Sequence, residues 1–279
     1  GRQPAGGPAM SSMSGRAGKP AVIAISSHVA RGAVGNRAVV FALEALGHRV
    51  WAVPTVVLPW HPGHSRATRI VPPAADFAAL LDDLAEAPWR DEVGAVLSGY
   101  LGDARQAAAV AKLVAALKRR RPDLLYLCDP VIGDARGIYV PEATAIAQRD
   151  VLMPLADIAT PNIHELAWMA GRPLATAAET AAAARALAPA TMLVTSAPGA
   201  EEGRIANVLV SRQQAWSLAH AAVARAPSGT GDLTSGLLLG RVLDGQGDVE
   251  AASRALASVG AVVSLTVESG ADELLLSGN

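Results

Sequence analysis

Residues 93–128 read VGAVLSGYLGDARQAAAVAKLVAALKRRRPDLLYLC. The opening VGAVLS (93–98) is an unbroken apolar run of strand length. Ala104 to Arg120 then sets Val110, Leu113, Val114 and Leu117 on one helical face, and LLYLC (124–128) returns to a buried strand. Strands without polar alternation, joined through a helix, belong to a parallel sheet whose two faces are both covered. The rest of the chain repeats the unit. Upstream lie the strand AVIAIS (21–26), a helix from Asn36 to Leu46 stopped by Gly47, the strand HRVWAVPT (48–55) and a helix over Asp76–Glu86. Downstream, Thr176 and Glu179 form a T-x-x-E capping box that opens a helix, and MLVTS (192–196) is another strand. NVLVS and AWSLAH (207–220) predict an antiparallel hairpin, and helices over Asp232–Leu243 and Val249–Leu265 follow.

Composition narrows the function. The 279 residues are 51% apolar and 18% charged, with a formal net charge of -1. That builds a packed core and argues against a disordered chain or a dedicated nucleic-acid binder. The one cysteine, Cys128, excludes an intrachain disulfide and a zinc site needing two thiolates. No apolar stretch approaches the roughly 18–20 uninterrupted residues of a membrane span, so the expectation is a soluble protein of a reducing compartment, the cytoplasm. Residues 1–20, rich in Gly, Ser and Pro, are expected to be a flexible arm or a vector-derived remnant, and residues 21–279 one domain, because no linker or repeat follows. Lysine occurs only at positions 19, 112 and 118. There is no P-loop, and none of the three suits a Schiff base.

In a parallel α/β sheet ligands sit beyond the carboxyl ends of the strands, so the residues that follow each strand carry the functional signal. Asp129 and Asp134, five apart after the strand at 124–128, could hold a hydrated Mg²⁺, or Asp129 could simply cap a turn before Pro130. In TPNIHE (160–165), Asn162 and Glu165 fall on one face of a helix start. They could anchor metal-bound waters, or form an ordinary N-cap with its N3 partner. Ser228-Gly229-Thr230-Gly231-Asp232 runs directly into an apolar helix. Its glycines let backbone N–H groups converge at the positive end of that helix, which favours an anion. A carboxylate there would repel a phosphate, yet it fits a site where a hydroxyl must lose its proton beside the anion.

Four motifs in order, SSHVARGAVGN (26–36), CDPVIGD (128–134), TPNIHE (160–165) and GTGD (229–232), together with SGYLG (98–102), resemble the pyridoxal kinase family of the ribokinase-like kinases. The resemblance runs from about Ala21 to about Leu265. It implies a three-layer α/β/α ribokinase-like fold with a largely parallel central sheet, and ATP-dependent phosphorylation of the 5'-hydroxymethyl group of pyridoxal, with pyridoxine and pyridoxamine as further substrates. Asp232 matches the general base, and Gly229, Thr230 and Gly231 the anion hole. Asp129, Asp134, Asn162 and Glu165 match the shell around Mg²⁺ and the ATP phosphates, with Asp129 and Glu165 reaching the ion mainly through water. Thr160, Thr195 and Ser196 match further nucleotide contacts. Ser27, Val34, Tyr100 and His61 match the pyridine-ring pocket. A monovalent cation and a homodimer are further family properties; no nucleic acid or membrane partner is implied. A hydroxymethylpyrimidine kinase and a non-catalytic B6-vitamer binding protein are the alternative readings.

The departure from the family lies in one loop. Where members commonly carry an NHTxY-like stretch, this chain has Trp60-His61-Pro62-Gly63-His64. The indole and two imidazoles are expected to form a lid over a flat ring, with His61 or His64 bonding its phenolic oxygen.

Overall fold

Apolar strands alternate their side chains between two helical layers. In β1 (Ala21–Val29), Ile23 and Ile25 enter one core while Val22 and Ala24 enter the other, all fully buried. This is seen in a computed structural model that describes residues 18–199, 201–223 and 226–276. β1 leads to α1 (Asn36–Ala45), β2 (Val50–Leu58), α2 (Ala74–Glu86), β3 (Val93–Ser98), α3 (Gln106–Arg120) and β4 (Leu125–Cys128). A two-stranded flap of β5 (Gly133–Asp134) and β6 (Gly137–Ile138) and a short α4 (Glu142–Ala147) precede β7 (Ile158–Ala159) and α5 (Ile163–Ala170). The chain continues through α6 (Ala177–Arg185), β8 (Thr191–Ala197), β9 (Arg204–Ser211), β10 (Ala215–Ala221), α7 (Thr230–Leu243) and α8 (Asp248–Glu268).

The eight-stranded sheet has the order β10-β9-β8-β7-β4-β3-β1-β2. From β8 to β2 every pairing is parallel, and β9 runs against both its neighbours. α1, α7 and α8 cover one face; α2, α3, α5 and α6 cover the other. The layers and the sheet are those expected from sequence. β1 pairs with β2 on one side and β3 on the other, so the chain reverses direction across the sheet at β1. A crevice opens at such a point, at the carboxyl ends of the strands. Buried amides hold it: Asn36 Nδ2 donates to Ser26 O at 3.1 Å and Val53 O at 3.0 Å, tying β1 to β2.

Three elements escape a reading by pattern: β7, the flap and α4. Two-residue strands are too short to show a period. The expected arm also needs correction at its end. Residues 1–17 lie outside the described residues, but Lys19 is docked, its Nζ 2.6 Å from Asp244 Oδ2 and 2.7 Å from Leu46 O. Leu46 ends α1, where free carbonyls attract a cation. α8 is long and apolar enough to cross a bilayer by length and composition alone, but its stripe of Ala251, Ala252, Ala255, Leu256, Val259 and Val263 is buried in the core shared with α7.

Candidate active site

α7 begins without a side-chain cap. Gly229 precedes it at φ 102°, and a Cβ there would collide with Ala33 O, so the position requires glycine. The first N–H groups of the helix are left without the side-chain acceptor that usually satisfies them. Asp232 lies in that first turn, where the backbone N–H groups of Gly35 and of Asp232 itself favour its ionised form. Gly35 has φ 58°, and a Cβ would overlap Ser27 O and Oγ. Burial of the Asp232 carboxyl outweighs those N–H groups and raises its pKa to about 6.

One turn further along α7, Ser235 Oγ lies 2.9 Å from Asp129 Oδ2 and 2.9 Å from Thr160 Oγ1, linking the ends of β4 and β7 to the helix. Asp129 is raised to about 7, first by burial and then by the charge of Asp232. Glu165 is 3% exposed and raised to about 8 by burial and by the charge of Asp129. Its Oε1 accepts from Ile132 N at 2.9 Å and Gly133 N at 3.3 Å, and its Oε2 from Asn162 N at 2.8 Å. Asn162 Oδ1 in turn accepts from His164 N and Glu165 N, and its Nδ2 donates to Gly133 O at 2.8 Å. The capping box is therefore formed, and the same two side chains bolt the 129–134 loop to α5. Asp134 faces the cleft but is paired with Arg136, whose Nη2 stands 2.7 Å from Oδ2 and holds its pKa low.

These groups share one cleft of about 690 Å³, lined by every candidate residue named from sequence except Trp60 and His64 of the lid. Strand order lays them out in line. Thr195 and Ser196 stand at β8, Thr160 beyond β7, Asp129 beyond β4, Tyr100 beyond β3, Ser27 and Val34 at and after β1, and His61 beyond β2. Six strands at about 4.8 Å spacing make this row about 24 Å long, room for a nucleotide and a small ring end to end. Ser196 holds a left-handed φ of 54°, a backbone conformation rare outside glycine and commonest at functional sites. The lid differs from expectation. His61, Pro62 and Gly63 line the cleft, but Trp60 and His64 do not. Trp60 Nε1 bonds Ser65 O at 3.3 Å, and His64 Nε2 turns to Glu273 Oε1 at 2.7 Å. His61 Nδ1 accepts from Gly63 N at 3.1 Å, which leaves the ring proton on Nε2, and burial lowers its pKa.

The sequence profile of the phosphomethylpyrimidine kinase family matches residues 32–275. The pyridoxal kinase PdxY of Rubrobacter xylanophilus is 38% identical over 262 residues, covering 91% of this chain and 90% of that protein. A pyridoxine/pyridoxal/pyridoxamine kinase of Bordetella bronchiseptica is 41% identical over 263 residues, covering 92% and 93%. The chain belongs to the pyridoxal kinase family. Among solved structures, the pyridoxal kinase of Leishmania donovani in complex with ADP and pyridoxine has a TM-score of 0.84 at 25% identity, over 91% of this chain and 90% of that one.

Several residues of this pyridoxal kinase fold that shape the cleft went unread in the sequence. Ser235 stands three residues after Asp232, on the same helical face, a spacing that could have revealed it. Gly35, which packs against Ser27 too closely for any Cβ and whose N–H favours the Asp232 carboxylate, sits in a quoted motif but has no side chain to signal a role. Arg69, 5.6 Å over the Tyr100 ring, and Arg136 are the cleft's guanidinium groups, brought there by loops without periodicity. Glu273 reaches the lid from more than two hundred residues away.

Proposed function

We propose that the chain transfers the γ-phosphoryl group of ATP to the 5'-hydroxymethyl group of pyridoxal, giving pyridoxal 5'-phosphate and ADP. The observation that carries this is Asp232, a half-buried carboxyl in the first turn of an uncapped helix, lining a cleft that spans the parallel strands. Family membership supports the substrate pair.

The ring occupies the end of the cleft formed by Ser27, Val34, Tyr100 and His61, with the hydroxymethyl group at Asp232. The nucleotide lies toward Thr160, Asn162, Thr195 and Ser196. Phosphoryl transfer asks a protein chiefly to position two reactants and to stabilise charge on the equatorial oxygens. The N–H groups of Gly229, Thr230 and Gly231 face that charge. As the O–P bond forms, Asp232 takes the hydroxyl proton, help typically worth about 10²–10⁴-fold.

The residues present fit Mg²⁺. Asp129 and Glu165 are buried carboxyls with oxygen donors; the charge of Asp232 raises the pKa of Asp129 and that of Asp129 raises Glu165, a crowding of negative charge that a divalent cation relieves. Among the described residues no cluster of three or more such groups forms a direct ligand set, which suits an ion held mainly through its waters. Mg²⁺ would offset phosphate charge there. Homodimeric assembly and a monovalent cation are carried with the proposal by family analogy, and a cytoplasmic location as the expectation from the sequence.

The experiment is incubation with Mg-ATP and pyridoxal, following ADP release and product absorbance. Stoichiometric formation of ADP and pyridoxal 5'-phosphate is expected. Binding of pyridoxal without turnover would mean a vitamer-binding protein instead.

A further inference from the structure

Three segments that wall the cleft meet at the stretch following α8. Glu273 is largely buried, its side chain 13% exposed, and it stands outside the cleft. Its Oε1 lies 2.7 Å from His64 Nε2 in the lid and 3.4 Å from Arg31 Nη1 in the loop between β1 and α1. Asp272 secures the same arginine, with both carboxylate oxygens 2.8 Å from Nη2. Leu274 is buried, and its Cδ1 lies 3.3 Å from where a Cβ on Gly229 would stand.

The lid needs such an anchor. Among the described residues, the other hydrogen bonds of residues 60–65 close within the loop itself: Trp60 Nε1 to Ser65 O, Gly63 N to His61 Nδ1, His64 N to His61 O. The second partner, Arg31, belongs to the loop that carries Val34, which lines the cleft. One carboxylate therefore ties down both walls of the ring end. Among the described residues, its hydrogen bonds and ion pairs go to Arg31 and His64, not to the nucleotide end beyond β7 and β8.

We propose that Glu273 is a positioning residue that clamps the 60–65 loop over the ring end of the cleft through His64. It sets the affinity for the vitamer without touching it. The substrate named here rests on the pyridoxal kinase reading; the clamp rests on the contacts alone.

The test uses the full chain. In Glu273→Ala, the pyridoxal KM is expected to rise about 10-fold, the scale of one charge-assisted hydrogen bond spent on ordering a loop. The ATP KM and kcat stay within about threefold. Glu273→Gln keeps an acceptor oxygen for His64 and loses about threefold. The double variant His64→Ala/Glu273→Ala is expected to be no worse than the worse single variant, because both remove one contact. Asp272→Ala, which spares His64, leaves the pyridoxal KM within about twofold. Amide hydrogen exchange across residues 60–65 without any substrate reads the clamp directly and is expected to accelerate in Glu273→Ala. Unchanged exchange, equal shifts in both KM values, or additive losses in the double variant would overturn the clamp. Faster exchange in a protein that never phosphorylates pyridoxal would instead overturn the substrate assignment and leave the clamp standing.

Discussion

Asp232 is poised as a base by two opposed effects. Burial favours its protonated form, while the backbone N–H groups of Gly35 and of Asp232 itself favour the carboxylate, and the balance at about 6 leaves it ionised at neutral pH yet basic enough to take a proton. Activity follows. kcat/KM for pyridoxal is expected to fall below about pH 6, one proton per site. Asp232→Asn should keep pyridoxal binding within a few-fold while lowering kcat by at least about 10²-fold at every pH. A variant with near-normal turnover would remove Asp232 from this role. Asp129 makes a separate prediction about stability. Its pKa is raised to about 7 in the folded protein from a usual 3.8, so between those values the unfolded chain has released a proton that the folded chain retains. Stability therefore falls as pH rises through that window. Asp129→Asn removes the effect: Tm of the protein without nucleotide should rise at pH 8 by a few degrees relative to the unaltered chain, and not at pH 4. A gain equal at both pH values would mean packing, not charge.

At the scale of elements, two helix starts do the positioning, and they differ in how they are capped. α5 is closed by its own side chains, Asn162 and Glu165; α7 is left open by Gly229. Gly229→Ala forces a Cβ against Ala33 O at a φ that alanine resists. The expected result is a lower Tm together with a loss of kcat of at least about 10-fold, as the N–H groups shift from the phosphoryl path. A normal kcat would mean that the start of α7 does not serve the anion. Glu165→Gln tests the other helix. The amide keeps one acceptor oxygen where three backbone N–H groups now point, so it unfastens either the 132–133 loop or the cap. Tm should fall by a few degrees, and the Mg²⁺ concentration giving half-maximal rate should rise severalfold as one charge leaves the shell. A fall in Tm with unchanged Mg²⁺ dependence would make Glu165 a bolt only. Both meanings of this segment, cap and metal shell, were open in the sequence; the cap is formed, and the metal titration tests the shell.

At the scale of the molecule, how much the sequence discloses depends on how local each signal is. The layers were legible because apolar runs of strand length such as VGAVLS and LLYLC alternate with longer segments such as α3, whose apolar residues fall at helical spacing. Many of the candidate residues were legible for a related reason: they stand near or beyond the carboxyl ends of parallel strands, which a parallel sheet gathers at one edge, whereas Gly229–Asp232 were legible as a glycine-rich helix start. What stayed hidden arises from tertiary contact. The lid's composition suggested three aromatic rings over the ligand, but Glu273, distant in sequence, draws His64 away and leaves His61 facing the cleft. Lys19 looked like part of a free arm because nothing in its neighbours announces Asp244. The central claim is the substrate, since the family's sequence profile carries the name of a pyrimidine kinase and the curated relatives that of pyridoxal kinases. The measurement that tests it most directly is competition between pyridoxal and 4-amino-5-hydroxymethyl-2-methylpyrimidine at equal concentration with limiting Mg-ATP, the two phosphorylated products being separated and counted. The account predicts pyridoxal 5'-phosphate in excess by about 10²-fold or more, and an excess of the pyrimidine phosphate would contradict it.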